Sequence, residues 1–290
     1  MNVNALGNVA HVRRPRLRPT RFLQYALLVV ITAINVLPLV WVGISSVKAN
    51  SEILQYPPTF LPAHLTAENF VGLFTGSPFG KYMENSAVVA LVTTAAVEVL
   101  GVFSAYAFVR FKFWFIRGIG ELSLFAYMIP SILLLAPLLR IMFWLQLDNT
   151  LYSLMIIYTA LFLPFALWIL RSNFQGVSIE LEEAAMVDGC TRFGAFLRVV
   201  LPQVVPGLIA TAIFTFNASW SEFLFASVLI SNPDRLTISP GLNLLIPVTA
   251  IVPFGLITAA SVAMTIPIMI LFIVANRQLV ETWNAGAVKG

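Results

Sequence analysis

Two carboxylates, Glu98 and Glu222, stand inside long apolar runs of this chain. An ionisable group in hydrocarbon is expensive, so each must face protein or a wet cavity, and each is a candidate for work. Glu222 closes the stretch "NASWSE", after Asn217, Trp220 and Ser221. An aromatic ring beside amide, hydroxyl and carboxylate groups suits a sugar, whose ring has an apolar face and a polar rim. On a continuous helix, Thr211, Thr215, Ser219, Glu222 and Ala226 would share one small, polar face. That face fits a helix–helix contact as well as it fits a ligand. Glu98 shares a face of small residues with Thr94, Gly101 and Ala105, where a protonated carboxyl could hydrogen-bond. A proton-coupled role would need a second buried titratable partner, and none is evident.

Other chemistries find little support. One cysteine, Cys190, leaves no internal disulfide, and with only His11 and His64 besides, a histidine or thiolate metal site lacks ligands. "TGSPFGKY" superficially resembles a phosphate loop. Gly76 and Gly80 are too close together for one, and Tyr82 follows Lys81 where Ser or Thr is required. No bound cofactor or metal is expected.

The elements that must position these residues are membrane spans. The composition is 59% hydrophobic and 10% charged, outside the ordinary soluble range. A spanning helix needs about 20 mostly apolar residues. Six segments qualify: Phe22–Val47, Asn85–Val109, Ile119–Leu145, Leu151–Leu170, Gly207–Ile230 and Phe254–Ala275. The first is too long for a signal-peptide core and is read as a retained helix. Residues 1–21 form a basic leading segment, 22–280 one transmembrane domain and 281–290 a tail. Six spans put Arg13, Arg14, Arg16, Arg18, Arg21, Arg110, Lys112, Arg117, Arg171, Arg192, Arg198, Arg277 and Lys289 on one side. Only Lys48, Lys81, Arg140 and Arg235 fall on the other. By the positive-inside rule both termini are cytoplasmic. Because the basic residues sort by loop, they do not point to nucleic acid. Of the two external segments, roughly Lys48–Glu84 and Ser231–Pro253, the first carries "PPTFLPAH". It reads equally as a cap on helix ends or as a surface for an external partner.

One cytoplasmic loop, 178–202, is too structured to be a mere connection. Ser178 can cap a helix whose first turns carry Glu180, Glu182 and Glu183, favourable to the helix dipole. Gly189 then suits a left-handed terminator, after Asp188. A second helix is expected from Thr191, with Phe193, Phe196, Leu197 and Val200 as its apolar stripe. Pro202 should end or kink it before the next span. Ala184 and Ala185 leave a small-residue patch that another protein could approach closely.

The run Glu183-Ala184-Ala185, Gly189, Val199, Leu201-Pro202 resembles the EAA loop of binding-protein-dependent ABC importer permeases. "SSVKAN", "AYAFVRFKF", "SWSEFLFA" and the terminal "GAVKG" extend the likeness to the carbohydrate-type members, such as the smaller permease of maltose-type systems. Cys190 stands where relatives often carry Ala. The resemblance implies an all-α, six-span membrane subunit of the MetI-like permease fold, in a bacterial or archaeal cytoplasmic membrane. It implies that Glu183, Ala184, Ala185, Asp188, Gly189, Leu201 and Pro202 couple to a cytoplasmic ATPase dimer that uses ATP and Mg. A second similar permease and an extracytoplasmic solute-binding protein are the other implied partners. This subunit would catalyse nothing. A sugar-like solute is the expected cargo; an amino-acid or peptide permease and an ion-coupled secondary transporter are the alternatives.

Overall fold

The computed structural model describes residues 19–111, 118, 122, 123, 125, 127–246 and 252–287, with 19, 20, 22 and 276–287 described as backbone only. All regular elements among them are helical. Five helices are long and apolar enough to cross a membrane.

Helix α1 (Pro19–Ser46) opens on a proline, whose fixed φ suits a first turn and whose missing N–H is an orphan there anyway. A one-turn helix, Asn50–Ile53, and α2 (Glu68–Thr75) lie between it and α3 (Phe79–Arg110). Helix α3 starts before the expected Asn85 and ends on Arg110, a cation at the negative end of the helix dipole.

The expected third span, Ile119–Leu145, falls partly outside the described residues, and its described part is broken. Pro130 is extended, with φ −55° and ψ 126°, and the helix restarts as α4 (Ser131–Trp144). A proline disfavours helical geometry in the residue before it, which stops the chain at Ile129. Helix α5 (Leu151–Gln175) is capped by Thr150, whose hydroxyl accepts from the Ser153 N–H.

The loop region folds as α6 (Ile179–Val187), then α7 (Arg192–Ala195), a π turn over Phe196–Val200 and α8 (Leu201–Ser221). Two expectations are corrected here. Pro202 does not end the helix: Arg192–Ser221 is a single apolar rod. A proline in an α-helix clashes with the carbonyl four residues back. The wide turn just before Pro202 takes up that misfit, with the Leu201 N–H reaching the Phe196 carbonyl. The wide turn also splits the expected stripe. Phe196 and Val200 are buried, while Phe193 and Leu197 are exposed.

The fifth span also does not run unbroken to Ile230. It stops at Ser221, Glu222 is extended (φ −66°, ψ 132°), and a short α9 (Leu224–Leu229) follows. Glu222 is therefore at a helix end, off the face it would share with Ser219 on a continuous helix. Helix α10 (Ile238–Leu244) precedes the last long helix, α11 (Phe254–Ala287).

Helices α3, α5, α8 and α11 form the bundle, around a core of Tyr82, Val89, Ile157, Tyr158, Phe216 and Trp220. Small residues set the closest approaches, as expected where packing must replace a hydrophobic drive. Ala259, Ala260 and Ala263 of α11 are buried in this core. A Cβ on Gly207 of α8 would meet the Asn173 side chain at 2.5 Å, so any side chain there would have to displace Asn173. A second cluster, with Val102, Ala105, Phe174, Phe196 and Val204, lies under the α6–α7 loop.

Candidate functional site

The loop builds itself from local rules. The Ser178 hydroxyl accepts from the Glu180 N–H at 3.2 Å. At the other end of α6 the Cys190 N–H bonds the Ala185 carbonyl at 3.0 Å and the Gly189 N–H bonds Met186 at 3.1 Å. This is a Schellman turn, and it puts Gly189 at φ 92°. Thr191 then starts the next helix, its hydroxyl accepting from Gly194.

What fixes the loop to the bundle is a residue that sequence reasoning assigned only to the helix dipole. Glu182 is buried. Its Oε2 accepts from Arg110 Nε at 2.8 Å, and the Tyr106 hydroxyl donates to Oε1. Arg110 also donates to the Val177 carbonyl at 3.1 Å, at the approach to α6. Arg192 stands 4.0 Å from the same carboxylate and over the Phe111 ring at 5.3 Å. With side chains 3% and 4% exposed, Glu182 and Arg110 form a buried ion pair with further hydrogen bonds, the arrangement that lets a buried charge persist. Tyr106 packs its ring on Phe174 and Phe196, which joins α3, α5 and the π turn at one point. The signal available in the sequence was the stretch "AYAFVRFKF", which holds both Tyr106 and Arg110.

With Glu182 turned inward, the opposite side of α6 faces out. Glu183, Ala184, Asp188 and Gly189 are exposed, as is Val187, an apolar side chain 87% accessible. Ala185 and Leu201 are half-buried and Pro202 is exposed.

The intramembrane candidates divide. Trp220 is 2% exposed, stacks on Phe216 at 5.7 Å, and donates its indole N–H to the Met264 carbonyl at 3.2 Å. It belongs to the core. Asn217 and Ser221, one turn apart on α8, are exposed. Glu222 is half-buried and occupied: its carboxylate accepts from the Phe225 N–H at 3.0 Å, the Ala226 N–H at 3.1 Å and the Tyr158 hydroxyl. It thus caps α9 and pins it to α5. Glu222 also borders a cavity of about 480 Å³ with Tyr127, Pro130, Phe162, Pro164 and Phe214. The cavity opens where the third span breaks and the fifth ends, beside the Pro164 position of α5.

Glu98 does not join this site. Its carboxyl oxygens are buried without a hydrogen bond, beside an apolar groove lined by Val102, Phe103, Phe196 and Leu208. The nearby Thr211 hydroxyl is spent on carbonyls of its own helix, Gly207 and Leu208. Among the described residues no cluster of His, Cys, Asp and Glu could hold a metal ion.

Long apolar helices packed around a shared apolar core, with a helical loop clamped to one end, define a multi-pass, all-helical membrane protein. Residues 99–281 match the family described as binding-protein-dependent transport system inner membrane component, and the chain belongs to it. The chain is 34% identical to the sulfoquinovosyl glycerol transport system permease protein of Agrobacterium fabrum, over 94% of each chain. It is 32% identical to the trehalose transport system permease protein of Mycobacterium tuberculosis, over 88% of this chain and 92% of that one. A diacetylchitobiose uptake system permease protein of Streptomyces coelicolor is also 32% identical, over 91% and 87%. In fold, the chain is similar to a chain of a bacterial ABC transporter involved in the import of the acidic polysaccharide alginate. The TM-score is 0.79 at 18% identity, covering 90% of this chain and 96% of that one. The resemblance first seen in the loop thus holds over nearly the whole chain.

Proposed function

We propose that this chain is one of two permease subunits of an ATP-driven importer, forming half of the path for a sugar or sugar-like solute. The observation that carries the reading is the exposed face of α6, clamped from behind by the buried Glu182–Arg110 pair. A surface meant to pass movement into the membrane must not slide on the bundle beneath it. ATP and Mg would act in a separate cytoplasmic ATPase pair seated on Glu183, Ala184, Val187 and Asp188. An external solute-binding protein would deliver cargo. The sugar assignment rests on the names of the relatives and on the cavity beside Glu222. Its aromatic rings, with Ser131 and Glu222 at its edge, offer an apolar face and polar groups, the two halves of sugar recognition.

Two experiments test this. Gly189→Val should lower solute uptake sharply in cells while the protein still reaches the membrane. A β-branched residue at φ 92° costs at least about 1–2 kcal/mol in backbone strain. No atom lies within 4 Å of a Cβ there, so crowding adds nothing. Gly189→Asn, which tolerates that φ, should retain most uptake. Normal uptake by the valine variant would remove the coupling role. For sidedness, single cysteines at Ser51 and Asn232, in a Cys190→Ser background, should react with an impermeant thiol reagent outside intact cells. Cysteines at Thr20 and Asn284 should not. The reverse pattern would place α6 on the wrong side for an ATPase.

A further inference from the structure

We infer that the segment 54–65 is an interfacial anchor, with its apolar side chains immersed in the bilayer boundary at the C-terminal end of α1. Arg21 and Trp41 are 20 residues apart on α1, about 30 Å at 1.5 Å per residue, which matches the hydrocarbon thickness. Every described side chain from Arg21 to Trp41 is exposed, so this stretch presents apolar surface to its surroundings. Trp41 falls at the level where tryptophan is enriched, the boundary itself.

Phe60 packs edge-on against Trp41, ring centroids 5.6 Å apart, which sets segment 54–65 at the same depth. The segment reads "LQYPPTFLPAHL", without a Lys, Arg, Asp or Glu. Tyr56 is 93% exposed, Phe60 76%, Leu61 75% and Leu65 78%, a concentration of apolar surface that a water-facing loop rarely keeps.

The backbone beneath is tied down. Lys48 is buried, 5.2 Å from the Trp41 ring centroid, and its Nζ donates to the Thr59 carbonyl and hydroxyl. The Thr59 hydroxyl donates to Glu52 Oε1 at 2.8 Å, and the Ala63 N–H bonds the same oxygen at 3.0 Å. These two bonds, Thr59 first, hold the Glu52 carboxyl below the usual carboxylate range. The Thr66 N–H bonds the Val47 carbonyl at 2.9 Å. Lys48, Glu52, Thr59 and the Ala63 N–H are thus bonded to one another, while Tyr56, Phe60, Leu61 and Leu65 stay exposed. Irregular backbone is not tolerated facing hydrocarbon, but at the boundary water can satisfy its remaining groups. That argues for a shallow position.

The test uses the full chain in its assembled transporter, in phospholipid nanodiscs, with Cys190→Ser and a single cysteine at Leu61 carrying a small fluorophore. Tyr56 is the second labelling site and Ser51 the aqueous control. Quenching by phospholipid with a nitroxide near the headgroup is compared with quenching by aqueous iodide. At Leu61 and Tyr56 the lipid quencher should win severalfold, and at Ser51 iodide should win. Iodide winning at Leu61 and Tyr56 would overturn the proposal, because the segment would then face water. Protection from both quenchers would also overturn it, because a protein would then cover the segment.

Discussion

Replacing Arg110 with methionine should destabilise the chain by about 3–5 kcal/mol, the usual loss when a buried pair is broken from one side. The Glu182 carboxylate would stay buried with the Tyr106 hydroxyl and only the more distant, exposed Arg192, and the Val177 carbonyl would lose its donor. The expected result is a large drop in the thermal midpoint of the purified protein and a loop readily cut by protease near Gly189. Glu182→Gln should fall on the same side, since the amide keeps the shape but leaves the guanidinium uncompensated. The double variant Arg110→Met with Glu182→Leu should recover much of the stability, because an apolar pair of similar volume needs no desolvation. Single variants as stable as the parent would show that the pair does not hold the loop. A double variant no better than either single one would mean that the cluster works as packing, through the Tyr106 ring.

Trp220→Ala should be as damaging, for a different reason. The ring is 2% exposed and fills the space between α8 and α11, and truncating a buried aromatic to alanine typically costs about 3–5 kcal/mol. The variant should be recovered in reduced amounts and melt early in detergent. Asn217→Ala and Ser221→Ala, on the exposed side of the same helix, should leave the melting point nearly unchanged and show any effect in uptake. The contrast separates scaffold from path within five residues. A Trp220→Ala protein with a normal melting point and slowed uptake would put the indole in the path after all.

The legible parts of this molecule are those whose causes lie within a few residues. Ser178, Gly189 and Thr191 each mark a helix end through their own side chain or backbone freedom, and each does so in the structure. The small face of α8 was readable because Thr211, Thr215 and Ser219 recur at helical spacing, and all three are buried. Trp220 lies off that stripe and is buried all the same. Phe216 and Trp220, four apart, widen the buried side. The break at Glu222 has no local sign, since "SWSEFLFA" contains neither glycine nor proline. Its cause is tertiary: the carboxylate bonds both the next helix and Tyr158, 64 residues earlier. Glu182 was hidden in the same way, with partners 72 and 76 positions away. A single polar contact between distant helices carries no periodicity of its own.

The π turn at Phe196–Val200 works as a phase ring between two parts of one rod. On its loop side, the Glu182 cluster and the Phe196 ring fix the rotation of α7. On its membrane side, Thr211, Thr215 and Ser219 fix the rotation of α8. If the same residues ran as an unbroken α-helix, everything beyond Leu201 would turn by about 100° relative to the loop side. The threonines and Trp220 would then leave the core, and the proline ring would meet the carbonyl that the wide turn now keeps clear of it. The length of this segment is therefore a structural parameter as strict as any side chain in it. A push on α6, if the proposed coupling holds, would reach α8 through a joint whose angular setting is written in the number of residues it contains.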